Sequence, residues 1–96
     1  MLNIGQNTVK MSNFSARVRD IVKSIPKGQT MSYKDVATVA GSPNAYRAVG
    51  TIMKNNYDES IPCHRVIASD GSIGGYNRGG TRMKKKLLKQ EGVTLV

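Results

Sequence analysis

The most constraining feature of the sequence is a pair of helix signals separated by one glycine. Ser32 is a candidate N-cap, and Asp35 follows three positions later, as in a capping box. Gly41 suits the C′ position where such a helix ends, and Ser42-Pro43 can begin a second helix that runs to about Lys54. Two helices joined by a tight glycine turn form a helix-turn-helix, which we therefore predict here.

Apolar spacing gives each of these helices an inner and an outer face. The inner face of the first helix is expected to contain Val36, Val39 and Ala40, and that of the second Tyr46, Val49, Gly50 and Met53. The outer face of the second would carry Asn44, Arg47, Ala48 and Thr51. Small residues there permit close approach to a nucleic-acid groove, although packed helix pairs without any DNA role are also common.

The remaining elements are shorter or simpler. Phe14, Val18, Ile21, Val22 and Ile25 predict a helix that starts after a Ser12 or Asn13 cap and stops at Pro26. Val66–Ile73 resembles a hairpin that turns at Asp70-Gly71. A last helix, capped by Thr81 and ended by Gly92, is expected to turn Met83, Leu87 and Leu88 inward. Its other faces would be basic, through Arg82, Lys84, Lys85, Lys86 and Lys89.

These elements predict one domain over residues 1–96, mainly α-helical with a small β-hairpin, in a winged-helix-like arrangement that contains the helix-turn-helix. Residues 1–11 show no clear period and are expected to form an N-terminal arm. Ninety-six residues suffice for a single small core.

The charge of the chain indicates a polyanionic partner. Fifteen Lys and Arg against six Asp and Glu give a net charge of +9, which favours nucleic acid, although a soluble basic protein without such a partner is the alternative. No apolar run reaches the length of a membrane span and no signal peptide is evident, so we expect a cytoplasmic (or, in a eukaryote, nuclear) monomer without a membrane partner.

The only cysteine and the only histidine of the chain are adjacent, at Cys63 and His64. One cysteine cannot form an internal disulfide, and one Cys with one His cannot form a structural zinc site, so no metal is predicted. A single thiol can react as a thiolate, and Pro62 before it suits a sharp turn that presents the sulfur. The alternative is a small buried residue without chemistry.

The segment Pro62-Cys63-His64-Arg65-Val66 resembles the active-site signature of the O6-alkylguanine-DNA alkyltransferases, and the resemblance extends from about Phe14 to Gly92. It implies that Cys63 accepts the alkyl group from O6 of a damaged guanine in double-stranded DNA, once and irreversibly, without a cofactor. It also implies that His64 acts as a base through a water and that Glu91 orients it.

The same resemblance assigns residues that bind DNA. Gly28–Tyr33 looks like the Gly-x-x-x-Ser-Tyr stretch whose tyrosine lies against the DNA backbone and helps to rotate the target nucleotide. Arg47-Ala48-Val49-Gly50 resembles the recognition helix, so Arg47 would fill the gap left by the extruded base. Ala48, Thr51 and Arg65 are also expected at the DNA, through the minor groove.

The resemblance further implies a hinge and a substrate pocket. Counting from Arg47 places the hinge asparagine at Asn56, with Asn55 adjacent. Gly74, Tyr76 and Asn77 would line the pocket. The loop before Cys63 is one residue shorter than is usual in the family, and the loop after Tyr76 is one residue longer.

Two other functions remain open from the sequence. A sister group, the alkyltransferase-like proteins, has this compact size but carries tryptophan instead of cysteine, and binds alkylated DNA as a sensor that recruits other repair proteins. A helix-turn-helix regulator would use Arg47 to read sequence. The Cys63-His64 pair with a downstream carboxylate favours the enzyme, because neither rival needs it.

Overall fold

The computed structural model describes residues 14–94. Its helices are α1 (14–23), α2 (Tyr33–Val39), α3 (Tyr46–Lys54) and α4 (Gly80–Gln90), and Cys63–Arg65 forms a 3₁₀ turn. Two short strands, β1 (Met31–Ser32) and β2 (Val66–Ile67), complete the fold. The mainly helical class is thus confirmed. The expected N-terminal arm and the cap of α1 lie outside the described residues.

The two strands pair in parallel, which differs from the expected hairpin. Met31 is paired with Val66 and Ser32 with Ile67. The Asp70-Gly71 turn does form, since the Gly71 N–H donates to the Ala68 carbonyl at 3.0 Å. The strand partner nevertheless comes from the segment before α2, and this pairing brings the Cys63 turn beside the start of α2.

Local sequence signals determine both ends of α2. The Ser32 hydroxyl accepts from the Asp35 N–H at 2.9 Å, and the Asp35 carboxylate accepts from the Ser32 N–H at 3.4 Å, which completes the predicted capping box. Gly41 has φ +92° and directs its N–H to the Thr38 carbonyl, while the Ser42 N–H bonds to Ala37, as in a Schellman motif.

The start of α3 was predicted too early. Ser42 and Pro43 belong to a turn closed by the Ala45 N–H, which donates to the Ser42 carbonyl at 2.9 Å, and the helix begins at Tyr46. The tight turn lets α2 and α3 pack against each other as a helix-turn-helix.

One hydrophobic core joins α1, α2, α3 and the segment around the 3₁₀ turn. Its buried members are Val18, Val22, Ile25, Val36, Ala37, Ala40, Val49, Met53, Ile61, Cys63 and Val66. Two expected core residues are instead largely exposed, Val39 at 64% and Tyr46 at 43%. The buried stripe of α2 runs through Val36, Ala37 and Ala40, which leaves Val39 outside its edge.

Helix α4 has a different inner face from the one predicted. Leu88 is buried as expected, but Met83 is 38% exposed and Lys84 is fully buried. Thr81 lies within the first turn, since Gly79 is the N-cap residue. Gly92 and Val93 close the helix by donating to Lys89 and Leu88, which places Glu91 at the C-cap. No helix between residues 14 and 94 is long and apolar enough to cross a membrane.

Candidate active site

Cys63 lies at the wall of a cavity of about 350 Å³. The cavity is between α3 and the glycine-rich loop, residues 74–79, that precedes α4. The residues that line the cavity are Tyr33, Gly50, Met53, Lys54, Cys63, Gly75, Tyr76 and Asn77. Three segments distant in sequence therefore converge on one thiol. The structure brings together Cys63, Tyr33 and two of the residues predicted for the pocket.

The 3₁₀ turn fixes the position of the thiol. The Cys63 N–H donates to the Ile61 carbonyl at 2.8 Å, and the Arg65 N–H donates to the Pro62 carbonyl at 2.9 Å. The chain then enters β2 directly at Val66. Only 5% of Cys63 is exposed, so a reaction partner must enter the cavity to reach the sulfur.

Behind the turn, His64, Arg65 and Glu91 form a partly buried cluster of ionisable side chains. His64 Nε2 lies 2.9 Å from Glu91 Oε2. Arg65 donates Nε–H to Oε1 at 2.9 Å and Nη2–H to Oε2 at 2.8 Å, so its guanidinium holds both carboxylate oxygens. A third donor, Nη1, bonds at 2.7 Å to the carbonyl of Ile25, which follows α1.

Within this cluster, Glu91 is held as a carboxylate in hydrogen-bond contact with His64. The hydrogen bonds from Arg65 lower the pKa of Glu91 to about 2, with burial opposing and the contact with His64 adding to the effect. A carboxylate of such low basicity accepts a hydrogen bond from His64 but does not remove its proton. Neutral His64 then carries its hydrogen on Nε2, which leaves Nδ1 as the basic nitrogen of the ring.

Arg65, for which the sequence predicts a contact with DNA, is bonded within the protein in this structure. Its guanidinium turns inward to Glu91 and Ile25, and its side chain is only 16% exposed. Three directed hydrogen bonds occupy the group that would have contacted DNA. The position supports a role in holding the carboxylate instead.

Lys84 is buried next to Tyr33, although its sequence pattern predicts an exposed position on the basic face of α4. Its side chain is fully buried, and Nζ donates to the Tyr33 hydroxyl at 3.4 Å and to the Gly75 carbonyl at 3.2 Å. Burial lowers the pKa of Lys84 to about 8, against the opposing effect of negative charge on Cys63. At neutral pH the ammonium thus remains mostly charged, and it interacts electrostatically with the Cys63 thiol.

The Lys84 ammonium also organises the aromatic wall of the cavity. Nζ lies 5.6 Å from the centre of the Tyr33 ring, and burial raises the pKa of Tyr33, so this phenol stays protonated at neutral pH. A Cβ on Gly74 would lie 3.1 Å from the Tyr33 hydroxyl, and the φ of Gly74 is +74°. Gly74 therefore shapes the site by leaving room for the Tyr33–Lys84 pair.

Tyr76 closes the cavity on the side of His64. The two rings meet edge to face, with their centres 6.3 Å apart and their planes at 77°. Burial raises the pKa of Tyr76, followed in effect by the negative charge on Cys63. Tyr76 thus presents a protonated phenol and an apolar ring to a bound group.

The outer face of α3 adjoins this cavity. Arg47, Ala48 and Thr51 are exposed there, as predicted, and Gly50 and Lys54 on the same helix line the cavity. The Thr51 hydroxyl donates to the Arg47 carbonyl at 3.2 Å. A partner bound along this face would lie at the opening above Cys63.

The predicted hinge residue Asn56 is buried and does not line the cavity. Its amide donates to the Asp58 carbonyl and accepts from the Asp58 N–H, both at 3.3 Å. The adjacent Asn55 is exposed. Asn56 therefore shapes the loop that carries the chain from α3 toward Pro62.

The chain is similar to known proteins over nearly all of the residues that the structure describes. The family model described as "6-O-methylguanine DNA methyltransferase, DNA binding domain" matches residues 13–93. A methylated-DNA–protein-cysteine methyltransferase of Methanothermobacter thermautotrophicus is 49% identical over 85 residues, which cover 88% of this chain and 47% of that protein. The protein of the same name from Cricetulus griseus is 49% identical over 74 residues, which cover 76% of this chain and 35% of that protein. The chain thus spans between a third and a half of the length of these relatives.

Two solved structures share the fold. Mycobacterium tuberculosis OGT in complex with DNA is 41% identical with a TM-score of 0.77, and the match covers 82% of this chain and 48% of that one. Schizosaccharomyces pombe Atl1, in complex with damaged DNA that contains O6-carboxymethylguanine, is 35% identical with a TM-score of 0.78, and the match covers 86% and 79%. With its family match over residues 13–93, this chain belongs to the 6-O-methylguanine DNA methyltransferase family.

Proposed function

We propose that the chain repairs DNA directly, by transferring the alkyl group of an O6-alkylguanine in duplex DNA to Cys63. The observation that carries the proposal is the position of Cys63 at the wall of a cavity, next in sequence to a His64 that is hydrogen-bonded to Glu91. The Lys84 ammonium interacts electrostatically with the same thiol. A thiolate is the reactive form of cysteine, and both neighbours favour its formation.

The transfer needs no cofactor, because the protein and the guanine together account for every bond, electron pair and proton. His64 Nδ1 takes the thiol proton, directly or through a water, and the sulfur attacks the alkyl carbon. The carbon–sulfur bond forms as the bond from carbon to O6 breaks, and the electron pair remains on the guanine. The guanine then takes up a proton and remains in the DNA strand as the normal base. Because a thioether is not cleaved by thiol exchange, each molecule would act once.

Lys84 and Tyr33 would stabilise the negative charge, which moves from the Cys63 sulfur to the guanine during this step. The Lys84 ammonium stabilises the thiolate before attack, and a donor placed where charge develops is worth most in a water-poor site. Tyr33 accepts a hydrogen bond from Lys84 and so keeps its own hydrogen to donate toward the departing guanine. Tyr33 would thus work inside the cavity, in addition to its expected contact with the DNA backbone.

The outer face of α3 would hold the DNA. A base within a duplex must be turned out before its O6 can reach a buried sulfur, and the vacated space must be filled. Arg47 is exposed on α3 near the cavity opening and suits that role. The net charge of +9 supports binding through phosphates, and the solved OGT and Atl1 structures named above contain DNA.

A second candidate is a damage sensor that binds the lesion without repairing it. This candidate is supported by the likeness to Atl1, which is 35% identical with a TM-score of 0.78 and was solved with damaged DNA. A sensor predicts lesion-dependent binding that Cys63→Ala leaves intact, and no covalent product. The free Cys63 thiol in the cavity favours the transferase instead.

A single-turnover assay tests the proposal. Excess protein is mixed with a duplex that carries O6-methylguanine labelled in the methyl group, and label on the protein is counted, with Cys63→Ser in parallel. We expect stoichiometric transfer by the wild type, an added methyl mass on the peptide that contains Cys63, and no transfer by the variant. Lesion-specific binding without label on the protein would replace the transferase with the sensor.

A further inference from the structure

The glycine-rich loop that carries Tyr76 is fastened to α3 by a single side chain. Asn77 Nδ2 lies 2.6 Å from the Lys54 carbonyl, 2.8 Å from the Asn56 carbonyl and 3.4 Å from the Met53 carbonyl. Carbonyls at the end of a helix have no partner within the helix. The two hydrogens of the Asn77 amide therefore cap the C-terminal end of α3 from another part of the chain.

Among the described residues, only the Nδ2 atom of the Asn77 amide makes hydrogen bonds, so this atom alone fixes the orientation of the amide. Oδ1 is buried and has no hydrogen-bond partner among the described residues. A flipped amide would place Oδ1 against carbonyl oxygens, so the orientation with Nδ2 toward α3 is the favourable one. An unpaired buried acceptor is unfavourable, and the Nδ2 contacts must outweigh its cost for the loop to stay closed.

The fastening spans the cavity. Lys54 belongs to the wall formed by α3, whereas Tyr76 and Asn77 belong to the opposite wall formed by the loop. On its other side, the loop is tied to α4, because Thr81 donates to the Gly74 carbonyl at 3.3 Å and Lys84 to Gly75 at 3.2 Å. Asn77 thus sets how far the loop wall can move from the α3 wall.

Without this tie, the loop would be held only on its α4 side. Gly79 and Gly80 follow after Arg78 with φ values of +122° and +75°, and glycine backbones lose the most conformational freedom when they are fixed. A looser loop would let the Tyr76 wall retreat and would admit a larger group beside Cys63.

We propose that Asn77 is a specificity-determining residue, which holds the cavity narrow and so restricts transfer to small alkyl groups such as methyl. This inference rests on the proposed function of Cys63. The inference states that the cavity accepts small alkyl groups. It attributes the exclusion of larger groups to the Asn77 amide, which joins the two walls of the cavity.

The test compares transfer from O6-benzylguanine and O6-methylguanine in otherwise identical duplexes, under single turnover. We expect Asn77→Ala and Asn77→Ser to raise the ratio of the benzyl rate to the methyl rate at least about tenfold, because the cost of widening the cavity is removed. Asn55→Ala is the matched control, since Asn55 is exposed at the same helix end and lies outside the cavity. Its ratio should equal that of the wild type. A ratio within about twofold of wild type in both Asn77 variants would overturn the inference.

A second measurement needs neither DNA nor alkyl transfer. Cys63 is labelled with iodoacetamide, which is small, and with N-phenylmaleimide, which is bulky. If the loop opens in the Asn77 variants, the reaction of Cys63 with N-phenylmaleimide should become faster, and its reaction with iodoacetamide should change little. Equal acceleration with both reagents would mean general unfolding and would overturn the inference. Absence of transfer by the wild type would refute the proposed function, while the labelling ratio would still decide the role of Asn77.

Discussion

The outer face of α3 and the region behind Cys63 both use cationic side chains, but they hold them in opposite environments. Arg47 is exposed on α3, where a partner molecule must be able to reach it. Lys84 and Arg65 are buried or nearly so, and each is bonded to groups of the chain itself. The first region is open to a partner, and the second is assembled before any partner arrives.

The difference predicts how each region responds to mutation. An exposed charge is screened by water and salt and contributes little to stability. A buried charge interacts strongly with its neighbours, and removing one member of a pair leaves the other without compensation. Changes at α3 should therefore alter DNA handling with little effect on folding, whereas changes behind Cys63 should affect stability and chemistry together.

The largest effect is expected for Arg65→Met. The substitution leaves the Glu91 carboxylate and the Ile25 carbonyl without their guanidinium donors, and breaking such a buried pair costs about 3 kcal/mol. Urea unfolding should show this loss in the free energy of unfolding. Arg47→Met is the matched control and should stay within about 0.5 kcal/mol of wild type.

Arg65→Lys separates charge from geometry. Lysine keeps the positive charge but cannot donate to both carboxylate oxygens and to Ile25 at once. We expect a stability between those of the wild type and Arg65→Met. If Arg65→Met unfolds at the same urea concentration as the wild type, the cluster does not hold the turn, and the contrast between the two regions fails.

The next effect concerns Lys84→Met. Methionine has a similar shape but cannot donate to Tyr33 or Gly75, nor place a charge beside the thiolate. Loss of one such donor slows comparable reactions by about 100-fold, which is the decrease expected in the single-turnover rate of alkyl transfer. Lys85→Met is the matched control, because Lys85 is the exposed neighbour on the same helix. Equal rates in the two variants would exclude a role for the buried ammonium.

The pH dependence of the free energy of unfolding provides a second test of the buried Lys84 charge. Its pKa is about 8 in the folded protein against an ordinary 10.5, so between these values the unfolded chain binds more protons. The free energy of unfolding should therefore rise with pH in this window through the Lys84 contribution. Urea unfolding of Lys84→Met should lack that contribution, and Lys85→Met should retain it. An identical slope in all three proteins would contradict the burial of the charge.

The contrast also explains which parts could be predicted from the sequence. The Ser32 cap, the Gly41 turn and the outer face of α3 follow from rules that act within one or two helical turns. Lys84 was assigned to solvent because of its residue type, although it shares an i, i+4, i+7 stripe with Leu88 and Glu91 that would have placed it inside.

Other features could not be predicted because they depend on contacts between distant segments. The parallel pairing of β1 with β2 joins residues 31–32 to 66–67, and no local pattern specifies it. Arg65 is bonded to Glu91, 26 positions later, and to Ile25, 40 positions earlier. The resemblance to the alkyltransferases identified Glu91, but not the guanidinium that holds it.

A smaller effect is expected at Arg47. Arg47→Ala removes the side chain that would fill the vacated base position, whereas the basic surface that binds phosphates remains. We expect about tenfold slower transfer from duplex DNA, because the unstacked state is less stable. Binding to undamaged duplex should weaken less than about threefold, measured by fluorescence anisotropy. Transfer from a single-stranded oligonucleotide should be almost unchanged, and an equal loss on both substrates would argue against a role in base extrusion.

The smallest effect is expected at Thr51, which occupies the same outer face as Arg47. Its hydroxyl already donates to the Arg47 carbonyl at 3.2 Å, so it is satisfied within the helix. Thr51→Val keeps the shape and removes only the hydroxyl. We expect duplex affinity and transfer rate within about twofold of wild type, since no hydrogen bond to DNA is lost. A tenfold loss of affinity would mean that the hydroxyl leaves the Arg47 carbonyl to bind DNA. The outer face of α3 would then have to rearrange on binding, instead of being only an open surface that a partner reaches.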